Sequence, residues 1–217
     1  MYIFIDFEMN RISPKFEQAR TICRNEIIEI GAVMLNESLE EVAEFKEYIK
    51  PIYNPISEKY STLTGITNEM VEDSPSFEEG MLHFFQWCEE KSQGNSYIIY
   101  AWSENDYRQF VNELELKGIS KEPFRKILIK WRDLQREYSD MLGIEREISL
   151  EVAVSSIEES FQGKMHDALW DARNTAMIFN VSRDEEKFNR VMKPLIELMK
   201  PSEELTYTLG DMFHIVL

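Results

Sequence analysis

Polar and apolar residues alternate, or apolar residues run together briefly, over the first fifty positions of the chain. Residues 1–8, 26–35 and 41–51 carry these patterns, and Pro51 ends the third one. Period-two alternation and short β-branched runs are typical of strands, so we predict three consecutive strands in an antiparallel meander. A loop rich in Pro, Asn, Ser and Thr is predicted from Pro51 to about Gly65.

Helical periodicity takes over after this loop, and two short apolar runs interrupt it. The runs SYIIYAW (96–102) and KILIKWRD (126–133) predict two further strands. Amphipathic patterns predict helices over residues 67–72, 76–91, 104–118, 134–142, 149–160, 166–182 and about 183–199. We therefore predict an α/β fold, with a five-stranded mixed sheet flanked by helices. A three-strand meander followed by two strands reached through helices is the order of the ribonuclease H-like fold.

The bulk composition is that of a globular chain. It has 217 residues, of which 43% are hydrophobic and 29% charged, enough for one domain and a modest appendage. No apolar run approaches the roughly 18 residues of a membrane span, and the N-terminus enters a strand-like segment without a basic leader, so we expect no membrane association and no signal peptide. The two cysteines, Cys23 and Cys88, lack metal-ligand spacing, and we expect a cytoplasmic location.

The net charge of −16 restricts the partners of the protein. Binding to nucleic-acid phosphates normally uses a basic surface, so this charge argues against long non-specific contacts with a duplex. It is compatible with binding a few nucleotides at a chain end. Some of the carboxylates are also available to hold metal ions, whose charge inverts the local field.

Two acidic residues interrupt the first predicted strand. Asp6 and Glu8 stand at positions i and i+2, so their side chains share one face of the strand. Two carboxylates in an apolar segment repel each other and lose hydration unless a cation joins them. This pair is the first candidate for metal binding.

Three further residues complete a candidate site. Asp106 follows the fourth predicted strand, where an acid in the first turn of a helix is also favoured by the helix dipole. His166 stands at a predicted helix start and Asp171 about one turn into that helix. Four carboxylates and one imidazole are the side chains that a two-metal phosphodiesterase needs.

The order of these residues resembles the DEDDh 3′–5′ exonuclease family. The segment DFE at Asp6, an acid after a Trp-containing strand end at Asp106, and H-x4-D from His166 before ARNTA follow that order. NEIIEIGAVML and LTGIT (63–67) resemble further segments of the family, and they are most similar to its RNA 3′-end-trimming branch. The resemblance covers residues 1–181.

The resemblance implies a mechanism. Asp6, Glu8, Asp106 and Asp171 would bind two Mg²⁺ or Mn²⁺ ions, and His166 would act as general base on the attacking water. The enzyme would release nucleoside 5′-monophosphates from single-stranded or overhanging 3′ ends, with RNA slightly favoured over DNA.

The resemblance also implies contacts to the terminal nucleotide. Met9, Leu63, Thr64 and Ile66 are the expected substrate-binding residues, the last three from the LTGIT segment. The chain departs from the family where Met9 replaces a small residue and Ser103 replaces a glycine. These departures bear on substrate preference, since the five catalytic and metal-binding positions are intact.

Three alternatives stay open. The first is a DNA 3′–5′ exonuclease for proofreading or repair, because the chemistry does not depend on the sugar unless the 2′-hydroxyl is contacted. The second is a non-catalytic nucleic-acid-binding protein on the same fold. The third is an HD-type phosphohydrolase, because His166 and Asp167 spell HD, but that class needs additional histidines and only His83 and His214 remain.

The domain prediction divides the chain at residue 181. Residues 1–181 form the exonuclease domain, and residues 182–217 form a C-terminal helical extension. This extension carries an apolar helical face, and Pro201 ends its helix. An apolar face must be covered, so we expect the extension to pack on the domain or to form a homodimer interface.

Overall fold

The computed structural model describes residues 1–157 and 159–191, and five strands of this part form one sheet. The strands are β1 (Tyr2–Arg11), β2 (Asn25–Leu35), β3 (Glu41–Tyr48), β4 (Ile98–Ala101) and β5 (Trp131–Asp133). Their order across the sheet is β3-β2-β1-β4-β5. The first three pair antiparallel, whereas β4 is parallel to β1 and β5 is parallel to β4. The predicted α/β fold with a five-stranded mixed sheet is confirmed.

Helices cover both faces of the sheet. They are α1 (Glu17–Ile22), α2 (Glu58–Thr64), α3 (Asn68–Val71), α4 (Phe77–Ser92), α5 (Glu104–Leu116), α6 (Arg125–Leu128), α7 (Leu134–Leu142), α8 (Leu150–Ser156) and α9 (Ala168–Arg183). Ile3, Ile5 and Phe7 of β1 belong to a core that also includes residues of α4 and α5. Phe4 belongs to a second core, with residues of α7, α8 and α9. The even-numbered side chains of β1 therefore face α9.

Two predicted elements differ from the structure. The predicted loop from Pro51 to Gly65 contains α2, which has no apolar periodicity and ends at Gly65 in the left-handed conformation (φ +83°). The predicted strand over residues 126–133 is helical as far as Leu128, and only its last three residues are extended. A short apolar run fits a buried helical turn as well as a strand, so its periodicity did not distinguish them.

The chain continues past α9 into a helical segment over residues 185–191. Val191 is buried in the core that contains Phe4, and Phe188 packs against that core. The predictions for residues 192–217, including most of the C-terminal extension, lie outside the described residues. Within residues 1–157 and 159–191, no helix combines the length and apolar character needed to cross a membrane.

Candidate active site

Asp6 and Glu8 lie on the face of β1 that α9 covers. Asp6 is opposite Gly31 of β2, and Glu8 is opposite Glu29. A Cβ atom at Gly31 would stand 2.1 Å from the backbone nitrogen of Leu169. Glycine at this position therefore lets the start of α9 approach the sheet closely and brings that helix next to the two carboxylates.

Asp106 reaches the same region from the first turn of α5. Ser103 caps this helix by accepting a hydrogen bond from the Asn105 amide at 3.2 Å. The Asp106 Oδ1 atom accepts a hydrogen bond from the backbone amide of Phe7 at 3.3 Å, and the residue is 6% exposed. This contact fixes the Asp106 carboxylate beside β1 at Phe7, the residue that separates Asp6 from Glu8.

His166 and Asp171 come from the entry to α9. Asp167 caps the helix through a 3.4 Å hydrogen bond from the Trp170 amide to its Oδ1 atom. His166 is exposed and adopts a positive φ of 62°, and its backbone amide donates to Asp171 Oδ2 at 3.2 Å. The Asp171 Oδ1 atom is buried and has no hydrogen-bond partner. The structure thus brings all five sequence-predicted residues to one end of the sheet.

The carboxyl groups of this cluster hold protons unusually tightly. Burial, followed by the charges of Asp106 and Asp171, raises the pKa of Asp6 well above its ordinary value. Burial and the charge of Asp171 raise the pKa of Glu8 to about 8. The pKa values of Asp106 and Asp171 rise to about 7, mainly through burial. Without a cation these groups are too close together to ionise freely.

A divalent cation fits this arrangement. One oxygen each of Glu8 and Asp171 and one ring nitrogen of His166 lie within 4.8 Å of one another. The unpaired Asp171 Oδ1 atom provides a further free acceptor. Hard cations prefer carboxylate oxygen, and their charge would offset the repulsion that raises these pKa values. His83, by contrast, pairs with Glu47 at 3.0 Å and is outside this group, and His214 lies outside the described residues.

A second set of charged residues, which the sequence did not reveal, holds the start of α9 against the sheet. Lys46 Nζ lies 2.8 Å from Glu29 Oε1 and 2.6 Å from Asp167 Oδ2, and Glu29 Oε2 accepts from the Ala168 amide at 3.1 Å. Burial alone would lower the pKa of Lys46, but the hydrogen bonds to Asp167 and Glu29 raise it above its usual range. Glu29 is 1% exposed, and its place between the apolar residues Ile28 and Ile30 was the available signal.

The predicted substrate-binding residues differ in accessibility. Leu63 is 42% exposed on the last turn of α2, and Met9 is half-buried where β1 bulges after Glu8. Thr64 and Ile66 are buried; Thr64 accepts from the Ile66 amide at 3.1 Å. Lys164 Nζ donates to the Thr64 carbonyl at 3.1 Å, which ties the segment before His166 to the end of α2.

Comparisons with known proteins find relatives over most of the chain. The family model for exonucleases, RNase_T, matches residues 3–179. The chain is 28% identical over 160 residues to the 3′-5′ exoribonuclease 1 of Rattus norvegicus, covering 71% of this chain and 46% of that protein. It is 30% identical over 224 residues to the DNA polymerase III PolC-type of Thermotoga maritima, covering 98% of this chain and 14% of that protein. The chain thus spans about half the length, or less, of these curated relatives.

A solved structure resembles the chain over most of both lengths. It is the nuclease domain of 3′hExo, described as a DEDDh family member bound to rAMP. The match has a TM-score of 0.73 and 25% sequence identity, and it covers 85% of this chain and 92% of that one.

Proposed function

Because this chain belongs to the exonuclease family, we propose that it is a metal-dependent 3′–5′ exonuclease. It releases nucleoside 5′-monophosphates from single-stranded or overhanging 3′ ends. The observation that carries this proposal is the cluster of buried carboxyl groups, drawn from β1, α5 and α9, whose pKa values are raised by burial and mutual repulsion. Perturbed acids in such a cluster are typical of a catalytic centre.

Asp6, Glu8, Asp106 and Asp171 are proposed to hold two Mg²⁺ or Mn²⁺ ions. When bound, a pair of such ions stabilises charge on the attacking and leaving oxygens of an in-line displacement. The backbone amide of Phe7 orients Asp106. The free Oδ1 atom of Asp171 supports its role as a ligand.

His166 is proposed to accept the proton of the attacking water. Its ring is exposed and lies beside Glu8 and Asp171, so it can reach a water molecule at the edge of the carboxylate cluster. Imidazole suits this role because its ordinary pKa is near neutrality. The hydrogen bond from the His166 amide to Asp171 holds the segment in place without using either ring nitrogen.

Leu63 and Met9 are proposed to contact the base of the terminal nucleotide. Leu63 is 42% exposed and Met9 is half-buried directly after Glu8, and apolar contact holds a base without reading its identity. Thr64 and Ile66 are buried in this structure, so their expected contribution is to fix the turn that presents Leu63. Direct contact of these two residues with substrate stays a prediction.

RNA is the favoured substrate in this proposal. A relative named 3′-5′ exoribonuclease 1 and the solved domain bound to rAMP support it. A DNA exonuclease is the second candidate, because the match to the PolC-type DNA polymerase covers 98% of the chain. A protein on this fold that binds nucleic acid without cleaving it is the third.

Matched oligonucleotides distinguish these candidates. RNA and DNA strands of one sequence, labelled at the 5′ end or at the 3′ end, are incubated with Mg²⁺ or Mn²⁺. A 3′-labelled strand should lose its label at once as a mononucleotide, whereas a 5′-labelled strand should shorten gradually. Asp106→Asn is the inactive control. Release of mononucleotides first from the 5′ end, or equal activity of Asp106→Asn, would exclude the proposal, and binding without any cleavage would favour the third candidate.

We further propose that residues 1–181 are the exonuclease domain and that residues 182–217 pack on it or form a homodimer contact. The burial of Val191 in the core that contains Phe4 supports packing on the domain. Light scattering of the 217-residue chain and of a chain ending at Val191 would separate the two. A dimer that becomes a folded monomer on truncation would assign the extension to an interface.

A further inference from the structure

The segment that follows the two acids of β1 has the opposite charge to the rest of the chain. Residues 9–25 contain Arg11, Lys15, Arg20 and Arg24 but only one acid, Glu17, within a protein whose net charge is −16. Among the described residues, none of these four cations forms an ion pair with a carboxylate, although cations such as Lys46, Lys117 and Arg173 do. A local excess of unpaired positive charge in an acidic protein marks a surface suited to an anionic partner.

Three of the four cations, Arg11, Lys15 and Arg20, line two adjoining surface clefts. One has a volume of about 470 Å³ and is lined by Arg11, Lys15, Arg20 and Tyr60, among others. The other has a volume of about 570 Å³ and is lined by Lys15, Phe16, Tyr53 and the acid Glu17, among others. Because Lys15 belongs to both, we treat them as one cationic cleft, formed by Arg11, Lys15, Phe16, Arg20, Tyr53 and Tyr60.

Aromatic rings lie among these charges. The rings of Phe16 and Tyr53 meet edge to face with their centroids 5.3 Å apart, and Lys15 Nζ lies 4.9 Å from the centre of the Phe16 ring. Both rings are half-buried, so part of each faces solvent. Alternating cations and partly exposed rings are what a single nucleic-acid strand needs, because phosphates pair with the cations while bases stack on the rings.

Hydrogen bonds hold the walls of the cationic cleft together. Ser13 donates its amide to Asn54 Oδ1 at 2.7 Å, and Asn54 Nδ2 donates to the Arg11 carbonyl at 3.2 Å. The Asn10 side chain donates to the Asn54 carbonyl at 3.2 Å. The cleft is therefore shaped before any ligand arrives, which reduces the entropy lost on binding.

Both walls of the cationic cleft belong to elements that also reach the carboxylate cluster. Arg11 stands three residues after Glu8 on β1, about 10 Å along the strand. Tyr60 stands one helical turn before Leu63 and Thr64 on α2, and the Thr64 carbonyl is tied to the His166 segment through Lys164. A strand whose 3′ end reaches the carboxylates can thus continue into the cationic cleft.

We propose that the cationic cleft binds the phosphates and bases of a single strand immediately upstream of its 3′-terminal nucleotide. This inference rests on the proposed exonuclease function and extends it from the terminal nucleotide to the following ones. Arg11, Lys15 and Arg20 contact phosphates, while Phe16 and Tyr53 provide a surface for stacking. The cleft supplies locally the positive surface that the whole molecule lacks.

Substrate length tests the proposal. The variant Arg11→Gln/Lys15→Gln is compared with wild type and with Lys91→Gln/Lys121→Gln, which removes two exposed, unpaired cations that do not line the cleft. The substrates are a dinucleotide and a 12-nucleotide single strand. In the cleft variant, KM for the 12-nucleotide strand should rise about tenfold relative to KM for the dinucleotide. The slope of log binding constant against log salt should fall by about 1.4, at about 0.7 per lost phosphate contact.

Binding and hydrolysis are read separately in this experiment. Fluorescence anisotropy of a labelled 12-nucleotide strand measures the affinity of the protein for that strand, even if no cleavage occurs. If the two double variants have equal affinity and an equal salt slope, the cationic cleft does not bind the strand, whatever the nuclease activity. Failure of wild type to degrade either substrate, with the affinity difference retained, would instead overturn the exonuclease function and leave the cleft as a nucleic-acid-binding surface.

Discussion

At the scale of single residues, the carboxyl groups of the site bind protons more tightly in the folded protein than in the unfolded chain. Their raised pKa values, about 8 for Glu8 and about 7 for Asp106 and Asp171, make the free energy of unfolding of the metal-free protein fall as pH rises from about 4 to about 8. We predict a higher melting temperature at about pH 5.5 than at about pH 8 in EDTA, measured by calorimetry.

Adding Mg²⁺ and substituting Asp6 give two further tests of this pH dependence. Saturating Mg²⁺ should raise the melting temperature at about pH 8 more than at about pH 5.5, because the ionised form binds the cation. Asp6→Asn should reduce the pH dependence without metal, since it removes one repelling group, and it should abolish nuclease activity. If the metal-free protein has a higher melting temperature at about pH 8 than at about pH 5.5, the carboxyl groups of the cluster do not have the raised pKa values described above.

His166 allows a prediction that separates a base from a ligand. Its ring nitrogen lies close enough to Glu8 and Asp171 to join them in binding a metal, but we assign it to proton transfer. His166→Asn should therefore lower kcat by about 10²–10⁴-fold and leave Mn²⁺ affinity nearly unchanged in calorimetric titration. His83→Asn, which removes an exposed histidine paired with Glu47, is the matched control. Loss of Mn²⁺ binding in His166→Asn would make His166 a ligand.

The sequence predicted Asp6 and Glu8 because both depart from their local pattern, whereas Asp106 and Asp171, ordinary acids of a first helical turn, were recognised through the family resemblance. Asp6 and Glu8 interrupt an apolar strand, and their shared face follows from strand geometry alone. The role of Lys46 could not be predicted, because its partners Glu29 and Asp167 come from other elements and meet it only in the folded sheet. For Ile66 the sequence left burial and nucleotide contact both open, since an apolar residue beside a glycine fits either a small core or a contact loop.

At the scale of elements, long periodic segments were predicted well, whereas some short elements were missed. The helix predicted over residues 76–91 is confirmed by α4, and Ser76 and Glu79 form a capping box at its start. The helices α1 and α2 escaped prediction because six or seven residues show too few turns for periodicity, and their ends depend on tertiary contacts. Both border the cationic cleft, so this cleft is formed by segments whose helices the sequence did not predict.

The junction between β3 and α9 gives a prediction at this scale. Lys46 joins β2, β3 and the cap of α9, so Lys46→Met leaves Glu29 buried without its counter-ion. Breaking a buried ion pair costs about 3–5 kcal/mol, and the 30% exposure of Lys46 places the loss at the lower end of that range. We also expect kcat to fall more than KM rises, because the His166 segment loses its support.

The control for this prediction is Lys126→Met, which breaks an ion pair with the half-exposed Glu89. Surface pairs contribute about 0–1 kcal/mol, so its unfolding free energy, from urea denaturation, should change little. Similar losses in the two variants would show that the Lys46 contacts are no stronger than an ordinary surface pair. The variant Lys46→Arg keeps the positive charge. It should retain the full kcat only if charge alone is needed at this position.

At the scale of the whole molecule, the family resemblance read from five residues and two short segments is confirmed by the match over residues 3–179. It could be recognised because chemistry constrains the order and spacing of the carboxylates across distant segments. Position 181 as a domain boundary stays a prediction, as do the cytoplasmic location and the homodimer. The alignment to the PolC-type polymerase covers 98% of the chain and so extends into the C-terminal extension.

The distribution of charge over the molecule predicts that a free 3′ end is required. With a net charge of −16, the surface has little affinity for the middle of a long strand, and the positive charge described here is concentrated next to one end of the active site. In the proposed arrangement, a strand can use the cationic cleft and the carboxylate cluster together only if its terminus stops at the carboxylates. A circular single strand should therefore be degraded at least about 10²-fold more slowly than its linear form, because it loses the alignment of the reacting group that terminal binding provides. Gel analysis of both forms under identical Mg²⁺ and salt measures the ratio, with the linear form prepared by cutting the same circle once. Comparable cleavage of the intact circle would identify the protein as an endonuclease on this fold.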